Sequence, residues 1–189
     1  MLEKGGWSVP RAPVDKGGLL EKRFDSLVFS ILLYGSEVWG VDCKFKDSDL
    51  TEKFHLKFIK ETLGVHCKAS DVGCRAELNR RPIYNKIMYS IFNFLHHILT
   101  SENTLVLDIF TDLKNSNEWI KTMMNMLNSP GMSFIFNDFS NIKYNLNSIK
   151  QRINYQYLQL QNAEIHESQK LRFFQDIYNM GQRPHYVTL

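Results

Sequence analysis

Between Pro82 and Leu99 the apolar side chains Ile83, Ile87, Ile91, Phe94, Leu95 and Ile98 recur at three- and four-residue steps, with Tyr84, Met88 and Phe92 beside them. That spacing is the period of an α-helix, not the two-residue alternation of a strand. Pro82 suits the first helical turn, where its missing N–H leaves no bond unmade. A helix this apolar over so broad a face predicts the central core helix, with the other elements packed around it.

The remaining pattern is also helical. Leu20, Phe24, Leu27, Val28, Ile31 and Leu32 recur at helical spacing from Leu19 to about Trp39, with Gly35 weakening or ending the regular part. The β-rich letters of Phe29 to Leu33 also permit a strand there. Asp49 to Leu63 predicts a helix with Asp49 as cap, Glu52 completing a capping box and Gly64 as the stop. Its expected apolar stripe is Leu50, Phe54, Phe58, Ile59 and Leu63. Ser70 caps a short helix to Leu78. Leu105 to Lys114 and Glu118 to Leu127 predict two more helices, and Ser129-Pro130-Gly131 a turn. A long polar helix is expected over 140–167, and a last one from Gln169 to Met180, ending at Gly181. Residues 1–18 hold Gly5, Gly6, Pro10, Pro13, Gly17 and Gly18 without hydrophobic period, as in a flexible tail. The fold class expected is all-α, an irregular helical bundle over 19–189 behind that tail, divided into 19–46 and 47–189.

Several chemistries lack their residues. The sequence has no Asp-Asp pair, which two-metal polymerase chemistry takes from a Tyr/Phe-x-Asp-Asp turn. Asp47 and Asp49 stand beside a helix start, where aspartate ordinarily caps. His66, Cys67 and Cys74 cluster below Cys43, but the spacing is not that of a zinc finger or knuckle, and buried free thiols are expected instead. His96 and His97 point in different directions from the apolar helix, one part-buried and one exposed, with no nucleophile beside them. No Gly-x-Ser-x-Gly elbow occurs. Neither an enzyme nor a cofactor is expected. Three cysteines make a poor disulfide framework, and no apolar run has signal-peptide or bilayer-spanning form, so a cytoplasmic or nuclear protein is expected.

Charge carries the one live functional signal. Residues 50–86 hold Lys53, Lys57, Lys60, Lys68, Arg75, Arg80, Arg81 and Lys86 against Glu52, Glu61, Asp71 and Glu77, a local +4 in a chain of net +3. Lys53, Lys57 and Lys60 share one helix face. Such a face gains affinity for phosphates by releasing counterions. From the residues alone a solvated helix surface is the stronger reading of that pattern.

The stretch Ile31-Leu32-Leu33-Tyr34-Gly35-Ser36-Glu37-Val38-Trp39-Gly40 resembles a segment that follows the polymerase core in reverse transcriptases of LINE-type (non-LTR) retrotransposons. The similarity continues through Glu52-Lys53-Phe54-His55-Leu56-Lys57-Phe58-Ile59-Lys60 with Leu63-Gly64-Val65, and through Arg75-Ala76-Glu77-Leu78-Asn79-Arg80-Arg81-Pro82-Ile83-Tyr84. Trp119, Ser168-Gln169-Lys170-Leu171-Arg172 and Arg183-Pro184-His185-Tyr186 extend it more loosely. The resemblance covers about 19–189. It implies a position after the palm, in the thumb and helical linker, where the thumb helps hold the template–primer duplex. The expectation is a catalytically incomplete fragment of such an enzyme with non-specific RNA or DNA contact. The rest of a reverse transcriptase is its implied partner in a longer polypeptide, and no membrane is expected. A helical protein–protein interaction module is the alternative. Tyr34 and Trp39 are expected to pack rather than to stack on bases.

Overall fold

The computed structural model describes residues 18–43, 46–113, 116–128 and 140–183, and among these the regular structure is all helical. In order come α1 (Leu19–Arg23), a π-helical turn (Phe24–Val28), α2 (Phe29–Leu32), α3 (Ser36–Trp39) and a 3-10 turn (Gly40–Asp42). Then follow α4 (Leu50–Leu63), α5 (Asp71–Glu77), α6 (Ile83–Leu99), α7 (Thr104–Leu113), α8 (Glu118–Asn128) and α9 (Ser140–Glu167). A 3-10 turn (Gln169–Leu171) and α10 (Arg172–Gln175) close the described chain. Apart from Gly18, the expected N-terminal tail lies outside the described residues, as does the turn at Ser129-Pro130-Gly131.

Helix α6 takes the central place that its apolar pattern predicts. Ile83, Ile87, Ile91, Phe92 and Leu95 are buried and meet Phe24, Phe29, Val41, Phe110, Ile120, Met123, Ile149 and Ile153 in one core. Phe94, expected on the inner face, lies half out, with its ring edge-on to Trp119. A second, smaller cluster of Ile59, Cys74 and Leu78 joins α4 to α5. No single helix among the described residues is long and apolar enough to cross a membrane.

The expected helix from Leu19 to Trp39 is broken twice. The π turn puts an extra residue into one turn, which rotates everything after it relative to the α-helical stripe. Phe24 and Phe29 face the core, while Leu20, Leu27 and Ile31 are exposed; the rotation bears on Phe29 and Ile31, which lie beyond the turn. At Gly35 (φ 66) the chain enters the left-handed region and bends by 66° into α3.

Helix α4 runs over the expected residues but buries another face. Glu52, His55, Leu56 and Ile59 are inside, whereas Leu50 is 84% exposed and Phe54 also lies out. The capping box does not form. The Asp49 side chain accepts from the Lys46 amide, and Glu52 reaches away to α5 and α6. Gly64 ends α4 in the left-handed region, as expected, and Ser70 caps α5 by accepting from Gly73 N–H. The last helix is shorter than expected. It stops at Gln175, and turns rather than helix lead to Gly181. The Gln175 amide there donates to the carbonyls of Ile165, His166 and Ser168, holding α10 against the end of α9.

Candidate nucleic-acid interface

Beneath the cationic segment lies a buried ionic cluster. Glu52, His55 and Arg75 are 1%, 0% and 3% exposed. Arg75 donates to Glu52 at 2.8 Å and in a fork to Asp47 at 2.6 and 3.3 Å. The second Glu52 oxygen accepts from the Ile83 N–H at 2.6 Å, at the start of α6. A side chain of α4 thus caps α6, where the positive end of the helix dipole favours a carboxylate. Burial alone would raise Glu52, but the neighbouring His55 and the Arg75 charge outweigh it and hold the carboxyl below its ordinary range. Burial pushes His55 down. Arg80 Nε donates to His55 Nε2 at 3.2 Å, so the ring proton sits on Nδ1, 3.5 Å from Glu52. Burial would lower Arg75 as well, but the bonds and charges of Asp47 and Glu52 more than reverse it.

Above this cluster a cleft of about 520 Å³ opens between the π turn, the α5–α6 link, α9 and Arg183. Its described lining holds four cations, Arg80, Arg81, Lys86 and Arg183, against two carboxylates, Glu21 and Asp25. The carboxylates are both engaged. Arg183 reaches both Glu21 oxygens, at 2.7 and 2.6 Å, and also the Leu78 carbonyl. Arg80 pairs with Asp25 and stands 3.5 Å from Glu21, its guanidinium enclosed by the rings of Phe24, Phe29 and Phe58. Lys86 lies 3.9 Å above the Phe29 ring and 3.9 Å from Asp25. Arg81 forms no ion pair among the described residues. Asn79 holds φ 50, a left-handed conformation that asparagine tolerates, and turns the chain out of α5 so that Arg80 and Arg81 enter the cleft. Its amide donates to the Gly181 carbonyl. On the far wall Tyr89 donates to Asn154 at 2.8 Å, tying α6 to α9.

The eight sequence-predicted cations therefore separate into three groups. Arg75 is withdrawn from solvent by Asp47 and Glu52, and cannot reach a phosphate. Asp47 is accordingly its ion-pair partner and not a helix cap. Lys60 is also occupied, donating to the Cys67 carbonyl and pairing with Asp71, so it leaves the face it shares with Lys53 and Lys57. Lys53, Lys57 and Lys68 are exposed, and among the described residues their one ion pair is a long approach of Lys57 to Glu61 at 3.9 Å. Arg80, Arg81 and Lys86 line the cleft. The local surplus of +4 is smaller in space than along the chain, because Asp25, Glu21 and Asp47 fold back onto it from upstream.

The motif residues divide between packing and exposure. Gly35 makes the turn, Ser36 is fully buried, and Trp39 packs on the core while donating to the Tyr34 carbonyl at 2.9 Å. Trp119 donates to the Glu37 carbonyl at 3.1 Å, so the motif and that distant tryptophan are joined. Gly40 lies against α6 so closely that a Cβ there would fall 2.3 Å from Ile87. Tyr34 departs from the packing expectation and is 86% exposed, because the turn at Gly35 throws its ring outward. Cys67 is exposed, Cys43 half-buried and Cys74 buried.

The chain matches no family model, no curated protein and no solved structure.

Sequence reasoning missed Glu21, Asp25, Asn85, Tyr89, Asn154 and Arg183. Asn85 alone carried a local signal, a polar residue among the apolar positions of the first turn of α6. The others come from segments up to 162 residues apart, and no spacing rule brings them together.

Proposed function

We propose that this chain is a non-catalytic helical module equivalent to the post-palm region of a LINE-type reverse transcriptase, with sequence-independent contact to RNA or DNA. The observation that carries the nucleic-acid reading is the cationic surface left after close internal pairing: exposed Lys53, Lys57 and Lys68, with Arg81 in the cleft and Lys86 beside it, loosely paired to Asp25 at 3.9 Å. Such groups bind phosphate by displacing counterions, without reading bases. The absence of a paired-aspartate motif in the sequence supports a non-catalytic part. The resemblance at Tyr34 to Gly40 supports the family. Its residues form the joint between α3 and α6, and a resemblance concentrated at such a joint is one of fold more than of chemistry.

The test is binding to a labelled structured RNA over a salt series, with the Lys53→Glu, Lys57→Glu, Lys68→Glu triple variant beside the wild type. We expect micromolar affinity falling steeply with salt, and a triple variant whose salt slope is lower by about 2–3, the share of three phosphate contacts. Equal slopes in the two proteins would remove the lysine face from the proposal.

A second reading has its own observation. Phe94, Ile98, Val106, Ile109, Leu113 and Trp119 line an apolar groove of about 310 Å³ between α6, α7 and the start of α8. A groove of this kind accepts the apolar face of a partner helix. Capture that is indifferent to salt and lost on Ile109→Glu would favour this module over the nucleic-acid reading.

A further inference from the structure

We propose that the Arg81–Asn85 side of the cleft seats one phosphate of a nucleic-acid backbone. The proposal rests on the nucleic-acid reading above and gives it a defined place. Arg81 Nε and Asn85 Nδ2 are both buried, and among the described residues neither has a hydrogen-bond partner. Asn85 is only 1% exposed and lines the cleft. Buried polar atoms are ordinarily paired, so two orphans beside one cavity call for an occupant. Both orphans are donors, and whatever satisfies them must present acceptors. One donor belongs to a guanidinium with no ion pair among the described residues, which selects an anion.

The surroundings favour phosphate over a protein carboxylate. Glu21 and Asp25, the two carboxylates among the described lining of the cleft, are already held by Arg183 and Arg80. They neutralise that side and leave Arg81 as the unspent charge. The N-terminus of α6 is also taken, because Glu52 accepts from Ile83 N–H. An incoming anion is thus held by side chains, and Lys86, half exposed at 3.9 Å from Asp25, adds a second positive charge to the cleft. The volume, about 520 Å³, admits a phosphodiester with part of its sugars. Inorganic phosphate, a phosphomonoester and a phosphodiester offer the same tetrahedral oxygens, so the experiment must separate them.

The full chain is titrated at constant ionic strength with inorganic phosphate and, separately, with a short oligouridylate, while the arginine Nε–H resonances are followed by NMR. Arg81→Lys, which keeps the charge and lacks Nε, assigns the signal. The Arg81 resonance is expected to move with both ligands. Arg81→Gln is expected to weaken oligonucleotide binding about tenfold and to lower the salt slope by about 0.7. An Arg81 signal unmoved by either ligand in the folded wild type overturns the seat, and is also what a resident water would give. If the oligonucleotide then still binds, and binding is lost in the triple lysine variant, the nucleic-acid reading stands without the seat. If phosphate moves Arg81 but the oligonucleotide does not bind at low salt, the backbone assignment fails along with that reading.

Discussion

Glu52, itself 1% exposed, accepts from Arg75 and from the first N–H of α6 and stands beside His55. An isolated carboxylate could not persist there, because losing its hydration costs several kcal/mol before any partner repays it. Glu52→Gln keeps the shape and leaves Arg75 with Asp47 alone. We expect a loss of about 3 kcal/mol, read from urea unfolding, since breaking one side of a buried pair strands the other charge. The exposed Lys57–Glu61 pair gives the contrast, and Lys57→Ala should leave the urea midpoint unmoved. Acid acts on the same cluster. His55 is lowered from 6.5 when folded, so below that pH the unfolded chain takes up a proton that the folded one refuses. Glu52 is lowered from 4.5 and does the same further down. Both signs make stability fall as pH drops, first below 6.5 and again below 4.5. His55→Gln should remove the first stage and keep the second; a midpoint that is flat through 6.5 in the wild type would contradict the buried neutral imidazole.

The elements were legible where one local rule governed them. Ser70 and Gly64 mark the start of α5 and the end of α4 by their own chemistry, a hydroxyl acceptor and a residue free to take φ 65. Periodicity found α6 because five of its six buried side chains, Ile83, Ile87, Ile91, Phe92 and Leu95, are apolar. It failed on α4, whose inner face carries a carboxylate, an imidazole and two aliphatic residues. A hydropathy stripe cannot register Glu52 as a core position, since the arginine that makes it one is 23 residues away. Gly40 of the motif and Gly64 at the end of α4 separate two physical roles. At Gly40 an added Cβ overlaps Ile87 and comes to 3.3 Å from Ile91, so Gly40→Ala must push the 3-10 turn off α6. At Gly64 an added Cβ would meet nothing within 4 Å among the described residues, and suffers only the left-handed φ. We expect Gly40→Ala to cost about 1–3 kcal/mol by overpacking. Gly64→Ala should cost about 1 kcal/mol from backbone strain alone. Thermal melts of the two variants distinguish these, and a Gly40→Ala as mild as Gly64→Ala would show that the joint yields.

At the scale of the whole molecule, Arg183 ties one end of the described chain to the other through Glu21 and also reaches the Leu78 carbonyl. The pair is partly exposed, which limits its worth. Arg183→Gln should lower stability by about 1 kcal/mol in urea unfolding, with one cooperative transition retained, because the core beneath it is unaltered. That core joins Phe24 and Phe29 to Ile149 and Ile153 through α6, and so spans both parts of the expected 19–46 and 47–189 division. The same variant frees Glu21 within the cleft, and should weaken phosphate binding without touching Arg81.

What the sequence determined alone is the helical class, the central place of α6 and the turns at Gly35 and Gly64. The turns rest on the dihedrals of single residues, and the class and the place of α6 show in the apolar spacing of one segment, so a linear pattern carries them. What only the tertiary structure decided is the state of each charge. Lys53 and Lys60 lie on one predicted face, yet the first meets water and the second meets Asp71. Arg75 and Arg81 are six positions apart, yet one is saturated by two carboxylates and the other by none among the described residues. Electrostatic energy depends on distance in space and on burial. Whether a cation serves the fold or remains for a partner is settled only when Glu21, Asp25, Asp47 and Glu52 have been brought beside it.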